Sequence, residues 1–284
     1  VSGNTVLSTI FSEKKPIIGM IHLRPLPGSP LYNPDEMGMK QIEHTAVEEA
    51  LILEDAGVDG LQVENIWDYP YVNGDYIGYE TVAAIAAVTA KLKTVVKCPV
   101  GINCHINGGK AALAVAVASD ASWIRVFEYV NAYVSHAGLT EGIGGMLARY
   151  RAFLRAPEVA FFCDVNVKHG SHFIISDRTI AEQAHDAESE GADALIVTGF
   201  ETGKAPTPEK IKEFSRNIDI PVLIGSGLTV ENVSALLPLV DGAIVGSNFK
   251  KDNQWKNPVD RQTSRRFMDE VRRIRKECGN NERF

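Results

Sequence analysis

Pro221-Val222-Leu223-Ile224-Gly225-Ser226-Gly227-Leu228-Thr229, followed by Asp241-Gly242-Ala243-Ile244-Val245-Gly246-Ser247, sets the reading of the whole chain. Each stretch is a short apolar run that breaks abruptly into Gly-Ser. The first opens after a proline, which a strand tolerates at its first residue because no ladder donor is needed there. The second opens after an aspartate. Both openings recur earlier in the chain. Runs follow Pro16 (Ile17 to Ile21), Pro99 (Val100 to Ile102) and Pro157 (Val159 to Phe162), and they alternate with runs behind Asp59, Asp120 and Asp193. Around those aspartates the sequence reads Gly57-Val58-Asp59-Gly60-Leu61, Ala118-Ser119-Asp120-Ala121-Ser122 and Gly191-Ala192-Asp193-Ala194-Leu195.

This alternation divides the chain into four βαβα quarters with eight strands. The continuous Val/Ile/Leu runs suit a parallel sheet covered on both faces. Helical patterns lie between them. Ile42, Ala46, Ala50 and Leu53 share one helix face, and Phe267, Val271 and Ile274 share another. Gly57 and Gly191 fall where helix C-caps are expected. The pattern predicts an α/β protein, a single (β/α)8 TIM barrel over residues 1–284, with 1–14 and 277–284 as tails. A doubly wound sheet would carry a glycine fingerprint after its first strand, and Ile18-Gly19-Met20-Ile21-His22 has none.

Composition is that of an ordinary globular protein: 284 residues, 45% hydrophobic and 23% charged, enough to bury a substantial core. A net charge of −7 argues against a nucleic-acid partner. The longest apolar run, Ala111 to Ala118, is far too short for a membrane span. Cys98, Cys104, Cys163 and Cys278 have no C-x-x-C spacing and sit among apolar residues. They read as reduced thiols of a cytoplasmic protein or one in another reducing compartment, an organellar matrix included. Residues 1–15 hold no signal-peptide core, and the opening at Val1 rather than Met is consistent with removal of a targeting segment.

Three connections that follow strands are longer than a barrel needs. Leu23 to Met37 carries Pro25, Pro27, Pro30 and Pro34 and reads as a stiff cover. Ile66 to Gly78 carries Trp67, Tyr69, Tyr71 and Tyr76, a set that also suits a homo-oligomer interface. Glu128 to Gly145 is rich in glycine and reads as a mobile lid.

Polar groups collect where the strands end, on the face where barrel enzymes keep their chemistry. These are His22, then Gln62-Val63-Glu64-Asn65, Asn103-Cys104-His105, Arg125 with Glu128, Asp164-Val165-Asn166-Val167-Lys168-His169, and Thr198-Gly199. Alternate residues of a strand share a face, so Gln62/Glu64, Asn103/His105 and Asp164/Asn166/Lys168 are expected to line up. The candidate catalytic groups are Glu64 and Asp164 for acid/base work, Lys168 for stabilising negative charge or forming a Schiff base, and His22. Asn65, Asn103, His105, Arg125, Asn166, His169 and Thr198 are candidate substrate contacts, and Arg125 could equally neutralise Glu64 or Asp164. His44, His136 and His185 carry no expected role, and Arg272, Arg273, Arg275 and Lys276 read as the solvated face of the last helix.

Counting strands makes Gly225-Ser226-Gly227 and Gly246-Ser247 the seventh and eighth loops, where barrels commonly bind phosphate. Thr229 is the expected N-cap of a helix starting near Val230. No cofactor is predicted. A divalent metal would draw on Glu64, His105, Asp164 and His169, but no H-x-H or H-E-x-x-H spacing supports naming one. Thr202-Gly203-Lys204 lacks the upstream glycine of a P-loop, though the segment could still touch a ligand.

The chain resembles the BtpA/SgcQ family along residues 14–270. The resemblance rests on Ile18-Gly19-Met20-Ile21-His22-Leu23 with Pro25-Leu26-Pro27-Gly28-Ser29-Pro30, and on Val63-Glu64-Asn65 with Asp68 and Pro70. It continues through Pro99 to Asn103, Ile124-Arg125-Val126, Asp164-Val165 with Val167-Lys168-His169, and Val197-Thr198-Gly199. Gly225-Ser226-Gly227 with Glu231-Asn232-Val233, then Asp241 to Ser247 with Phe249-Lys250, complete it. The resemblance implies a phosphate-binding TIM barrel. Cyanobacterial members are associated with photosystem I accumulation and bacterial ones with sugar-transport and sugar-metabolism genes. His105-Ile106-Asn107-Gly108 departs from the family's usual Leu-Arg-Asn-Asp, and Phe127-Glu128-Tyr129-Val130 is also atypical. Both departures fall in the mouth, not the scaffold, so they bear on which ligand is taken. The expected activity is acid/base chemistry on a small phosphorylated sugar or nucleotide-derived ligand, as an isomerase, lyase or glycosidic-bond-cleaving enzyme. A non-catalytic binding or assembly factor and a metal-assisted hydrolase are the alternatives.

Overall fold

The apolar runs form β1 (Ile17–His22), β2 (Gly60–Glu64), β3 (Val100–Asn103), β4 (Trp123–Val126), β7 (Ala160–Asp164), β8 (Ala194–Val197), β9 (Val222–Ile224) and β10 (Gly242–Val245). β5 (Ala132–Ser135) and β6 (Gly138–Glu141) lie between the fourth and fifth of these. The computed structural model describes residues 5–199 and 204–281. The eight parallel strands close into a barrel, in the order β1-β2-β3-β4-β7-β8-β9-β10 and back to β1. The outer helices are α2 (Met39–Ala56), α3 (Tyr79–Lys93), α4 (Gly109–Ser119), α5 (Gly144–Leu154), α6 (Ile180–Ser189), α7 (Pro208–Phe214), α8 (Val233–Leu236) and α9 (Arg261–Asn281). Gly57 ends α2 at φ 95°, a left-handed cap that glycine adopts without strain.

The aspartates that open alternate strands have a mechanical role. Asp59 Oδ2 accepts the Ile17 N–H at 2.7 Å, Asp193 Oδ2 that of Phe161 at 2.8 Å, and Asp241 Oδ2 that of Val222 at 2.9 Å. Each carboxylate thus clips the start of the preceding strand, where a ladder partner is lacking. Asp120 breaks the rule. It takes a left-handed φ of 55° to cap α4, and its carboxylate meets Lys93 at 3.2 Å instead.

Inside the barrel, Ile18, Met20, Trp123, Phe162, Ile196 and Leu223 pack together. Trp123 Nε1 donates to Gln62 Oε1 at 3.0 Å, which satisfies two polar groups deep in the interior. Within the N-terminal stretch read as a tail, Leu7 and Phe11 belong to this core. α1 (Val6–Ile10) closes the lower end of the barrel, with Leu7 and Phe11 only 6% and 5% exposed. The Phe11 ring lies 5.3 Å from that of Trp123. At the other end, residues 277–281 continue α9 instead of trailing from it. The basic run on α9 is also not simply solvated: Arg275 pairs with Asp59, and Arg272 Nη1 donates to the Ala56 carbonyl.

The expected lid is an ordered antiparallel hairpin. β5 and β6 pair Tyr133 with Thr140 on the buried side and Val134 with Leu139 on the exposed side. Val134 also bridges Ser171, and Asn73 Nδ2 donates to the Leu139 carbonyl at 2.9 Å. The helix after β9 begins at Val233, not near Val230, because the Thr229 N–H donates to Asn232 Oδ1 at 2.8 Å and closes a turn first.

Candidate active site at the barrel mouth

A cavity of ≈ 360 Å³ opens where the strands end. His22, Glu64 and Arg125 line its floor from β1, β2 and β4, and Lys168 and His169 enter from the loop after β7. Gly225 to Thr229 and Gly246 to Asn248 border it on another side. Tyr71, Phe127, Tyr133 and Trp255 supply aromatic walls.

The charges are arranged in two groups. Arg125 grips Asp164 with two parallel hydrogen bonds, Nε to Oδ2 at 2.7 Å and Nη2 to Oδ1 at 2.8 Å. Burial raises the Asp164 pKa and Arg125 works against that rise, leaving it above its ordinary value. Glu64 accepts from Asn103 Nδ2 at 2.5 Å, and its other oxygen lies 3.0 Å from His105 Nε2, out of line for a hydrogen bond. Burial opposes the Glu64 charge, but the neighbouring His105, then His22 and the Arg125 guanidinium, outweigh it and hold the carboxyl well below the usual range. Lys168 is pushed down to about 8 by burial and then by Arg125.

His22 is pushed down to about 4, chiefly by burial and then by Lys250, so its ring is neutral near pH 7. Its Nδ1 lies 3.3 Å from the Trp255 carbonyl oxygen. A ring nitrogen facing a carbonyl carries the proton, which assigns the lone pair to Nε2. The ring packs beside the eighth loop, 3.3 Å from where a Cβ on Gly246 would stand. The Lys250 ammonium is itself buried against Glu49 Oε2 at 2.6 Å.

Of the residues expected from sequence, His22, Glu64, His105, Arg125, Lys168, His169, Gly225, Ser226, Gly227, Gly246 and Ser247 line the cavity together. Asp164, Asn65, Asn103, Asn166 and Thr198 do not. Asp164 has both oxygens engaged by Arg125. Asn65 braces two loops, donating to Asp68 Oδ2 and accepting from the His105 N–H. Asn103 orients Glu64. β7 ends at Asp164, and Asn166 turns at a left-handed φ of 54°, so the expected alternation through Asn166 to Lys168 fails even though Lys168 returns to the cavity. Thr198 is fully buried, and its carbonyl accepts from Lys210.

The seventh loop is shaped by Gly227 at φ 79°, where a Cβ would come within 2.0 Å of the Ala205 nitrogen. The Gly225 N–H is already engaged by the Val197 carbonyl at 2.9 Å. Thr202 and Gly203 lie outside the described residues, while the Lys204 backbone packs against Gly227. Among the described residues no group of three or more His, Cys, Asp or Glu is placed to hold a metal. Glu64 stays beside His105, but Asp164 faces Arg125, and the His169 ring has the His136 ring 6.0 Å away.

Sequence reasoning missed several wall residues. His136, set aside as surface, sits at the hairpin tip and lines the cavity. Tyr133 could have been found from the alternation of the hairpin it belongs to. Asn248, Asn253 and Trp255 follow β10 in a loop without a periodic signal. Glu128, which does not line the cavity, is 4% exposed, with Oε2 lacking a hydrogen-bond partner. Burial, then the Asp164 charge, push it up to about 9, so it is a neutral acid at pH 7.

Among the described residues no helix is long and apolar enough to cross a membrane. In fold, the chain is similar to Mycobacterium tuberculosis tryptophan synthase, with a TM-score of 0.60 at 16% identity over 94% of this chain and 96% of that one. It is also similar to N-(5'-phosphoribosyl)anthranilate isomerase from Pyrococcus furiosus, with a TM-score of 0.55 at 14% identity over 91% and 99% of the two chains. In sequence, it is 36% identical to an uncharacterized protein of Thermococcus kodakarensis over 93% of this chain and 97% of that protein. It is 34% identical to the photosystem I biogenesis protein BtpA of Synechocystis over 88% and 85% of the two. The BtpA family model matches residues 13–273, and the chain belongs to the BtpA family.

Proposed function

We propose that the protein is an enzyme acting on a small phosphorylated sugar or nucleotide-derived ligand by acid/base chemistry at the barrel mouth. The observation that carries this reading is one cavity bordered by both Gly-Ser loops and floored by Glu64, Arg125, Lys168 and His22. In the proposal, the loops at Gly225–Gly227 and Gly246–Ser247 take the phosphate, with the Ser226 and Ser247 hydroxyls as donors. Arg125 and Lys168 supply a positive field for the anion, although Arg125 shares its charge with Asp164. Glu64, ionised and fixed by Asn103, and His22, with its lone pair on Nε2, are the proton carriers. The fold likeness to phosphoribosylanthranilate isomerase supports the class of ligand, since that enzyme's name specifies a phosphorylated sugar.

Calorimetry against a panel of sugar phosphates and nucleoside monophosphates at millimolar concentration tests the reading. Saturable binding by one class is expected, and no binding by any member contradicts it. A second reading, a non-catalytic assembly factor, is supported by the name of the Synechocystis relative. Full biological activity in a folded Glu64→Gln/Lys168→Ala variant would favour assembly over catalysis.

A further inference from the structure

We propose that Lys168 is a nucleophile that forms an imine with the carbonyl carbon of a phosphorylated aldehyde or ketone held in the barrel mouth. The inference rests on the phosphorylated-ligand reading above and narrows its substrates to carbonyl compounds.

The geometry isolates this amine. Lys168 projects from the loop after β7 into the cavity, where two carboxylates could have paired with it. Both are occupied elsewhere. Asp164 gives its two oxygens to Arg125 at 2.7 and 2.8 Å. Glu64 gives one oxygen to Asn103 at 2.5 Å and presents the other to His105 at 3.0 Å. Among the described residues Lys168 makes no hydrogen bond and no ion pair. Lys168 is half-buried, and an ammonium partly withdrawn from water without a carboxylate partner is disfavoured relative to the neutral amine. An amine desolvated beside a guanidinium sheds its proton more readily than one in water, which is one of the ways a lysine becomes nucleophilic. The lowered Lys168 pKa agrees with that arrangement.

The step balances with groups already present. The ammonium, with its pKa lowered to about 8, gives one proton to solvent water at the cavity mouth, and the freed nitrogen pair adds to the carbonyl carbon while the C=O π pair moves to oxygen. That oxygen takes one proton back from water, then a second passed from nitrogen through water, and leaves as water as the C=N bond forms. The third proton stays on the iminium nitrogen, and nothing is oxidised or reduced. Tyr71 and Tyr133 wall the cavity beside the imine.

The test incubates the full chain with dihydroxyacetone phosphate and, separately, D-ribose 5-phosphate, with and without sodium borohydride. Intact mass and peptide mapping follow, with calorimetry of the same ligands in parallel. One adduct is expected, of the probe's mass less one oxygen atom, mapped to Lys168, dependent on borohydride and lost in Lys168→Arg, with Lys168→Met as a second variant should Arg fail to fold. Binding by calorimetry without an adduct on Lys168, or an adduct that persists in both variants, overturns the imine and leaves the phosphorylated-ligand reading standing. Absence of both binding and adduct overturns the imine, and absence of binding across the wider panel as well overturns both.

Discussion

Replacing Arg125 with methionine removes the cation that neutralises Asp164 while filling most of the space of the side chain. Arg125 and Asp164 are 5% and 2% exposed and share two hydrogen bonds, so the variant leaves a carboxylate buried with both oxygens stripped of their donors. Breaking a buried pair from one side costs about 3–5 kcal/mol. Asp164 can escape part of that cost by taking a proton, and its pKa already lies above the ordinary value. The lower end of the range is therefore expected, a fall in melting temperature of about 6–12 °C at 2–4 °C per kcal/mol for a chain of this size. The partner substitution sharpens the test. In Arg125→Met/Asp164→Leu no charge is left behind, and replacing a buried pair by apolar groups of similar volume is often close to neutral. Urea unfolding of wild type, the single variant and the double variant at pH 7 measures both effects. The reasoning is refuted if the single variant loses less than about 1 kcal/mol, or if the double variant is no more stable than the single one.

Glu128 predicts a pH signature. Its folded pKa of about 9 exceeds the ordinary value of 4.5, so the folded state keeps a proton that the unfolded chain releases between those two values, and stability falls as pH rises through that window. Glu128→Gln should remove the dependence and gain about 3 kcal/mol at pH 7, at about 1.4 kcal/mol per pH unit above 4.5, a gain that fades toward pH 4.5 in denaturation curves. Phe11→Ala empties a space under Trp123 and should cost about 3–5 kcal/mol in chemical unfolding, whereas a true tail residue would cost nothing. Gly227→Ala sets a side chain at φ 79° and 2.0 Å from a backbone nitrogen, so calorimetry should find ligand binding lost and melting should find stability lowered by more than about 1 kcal/mol. Asn103→Leu leaves one oxygen of the buried Glu64 without its donor, and should lower kcat or ligand affinity and cost about 1–3 kcal/mol in chemical unfolding.

The architecture was legible in the sequence because it rests on local rules. A proline or aspartate opens each strand, and the aspartates at 59, 193 and 241 turned out to clip the neighbouring strand by hydrogen bonds. Strand ends then indicate which residues reach the mouth, and this located His22, Glu64, Arg125 and Lys168. What sequence could not separate was residues lining the cavity from residues behind it. Asp164 and Lys168 both sit near the end of the fifth barrel strand, but the left-handed turn at Asn166 intervenes and only the second reaches the cavity. The pairing of Asp164 with Arg125 joins positions 39 residues apart, a contact no local period encodes. The tail reading failed at Leu7 and Phe11 for a related reason. Leu7 and Phe11 form too short an apolar pattern to signal a plug, and their partners lie on the barrel floor.

The central claim is that the two Gly-Ser loops hold a phosphate above Glu64, His22 and Lys168. A crystal structure of the protein soaked with D-ribose 5-phosphate tests it most directly. The account predicts phosphate density between Gly225–Gly227 and Gly246–Ser247, with the sugar end directed toward the Lys168 amine. An empty mouth at millimolar soak, or a phosphate bound away from both loops, would contradict it.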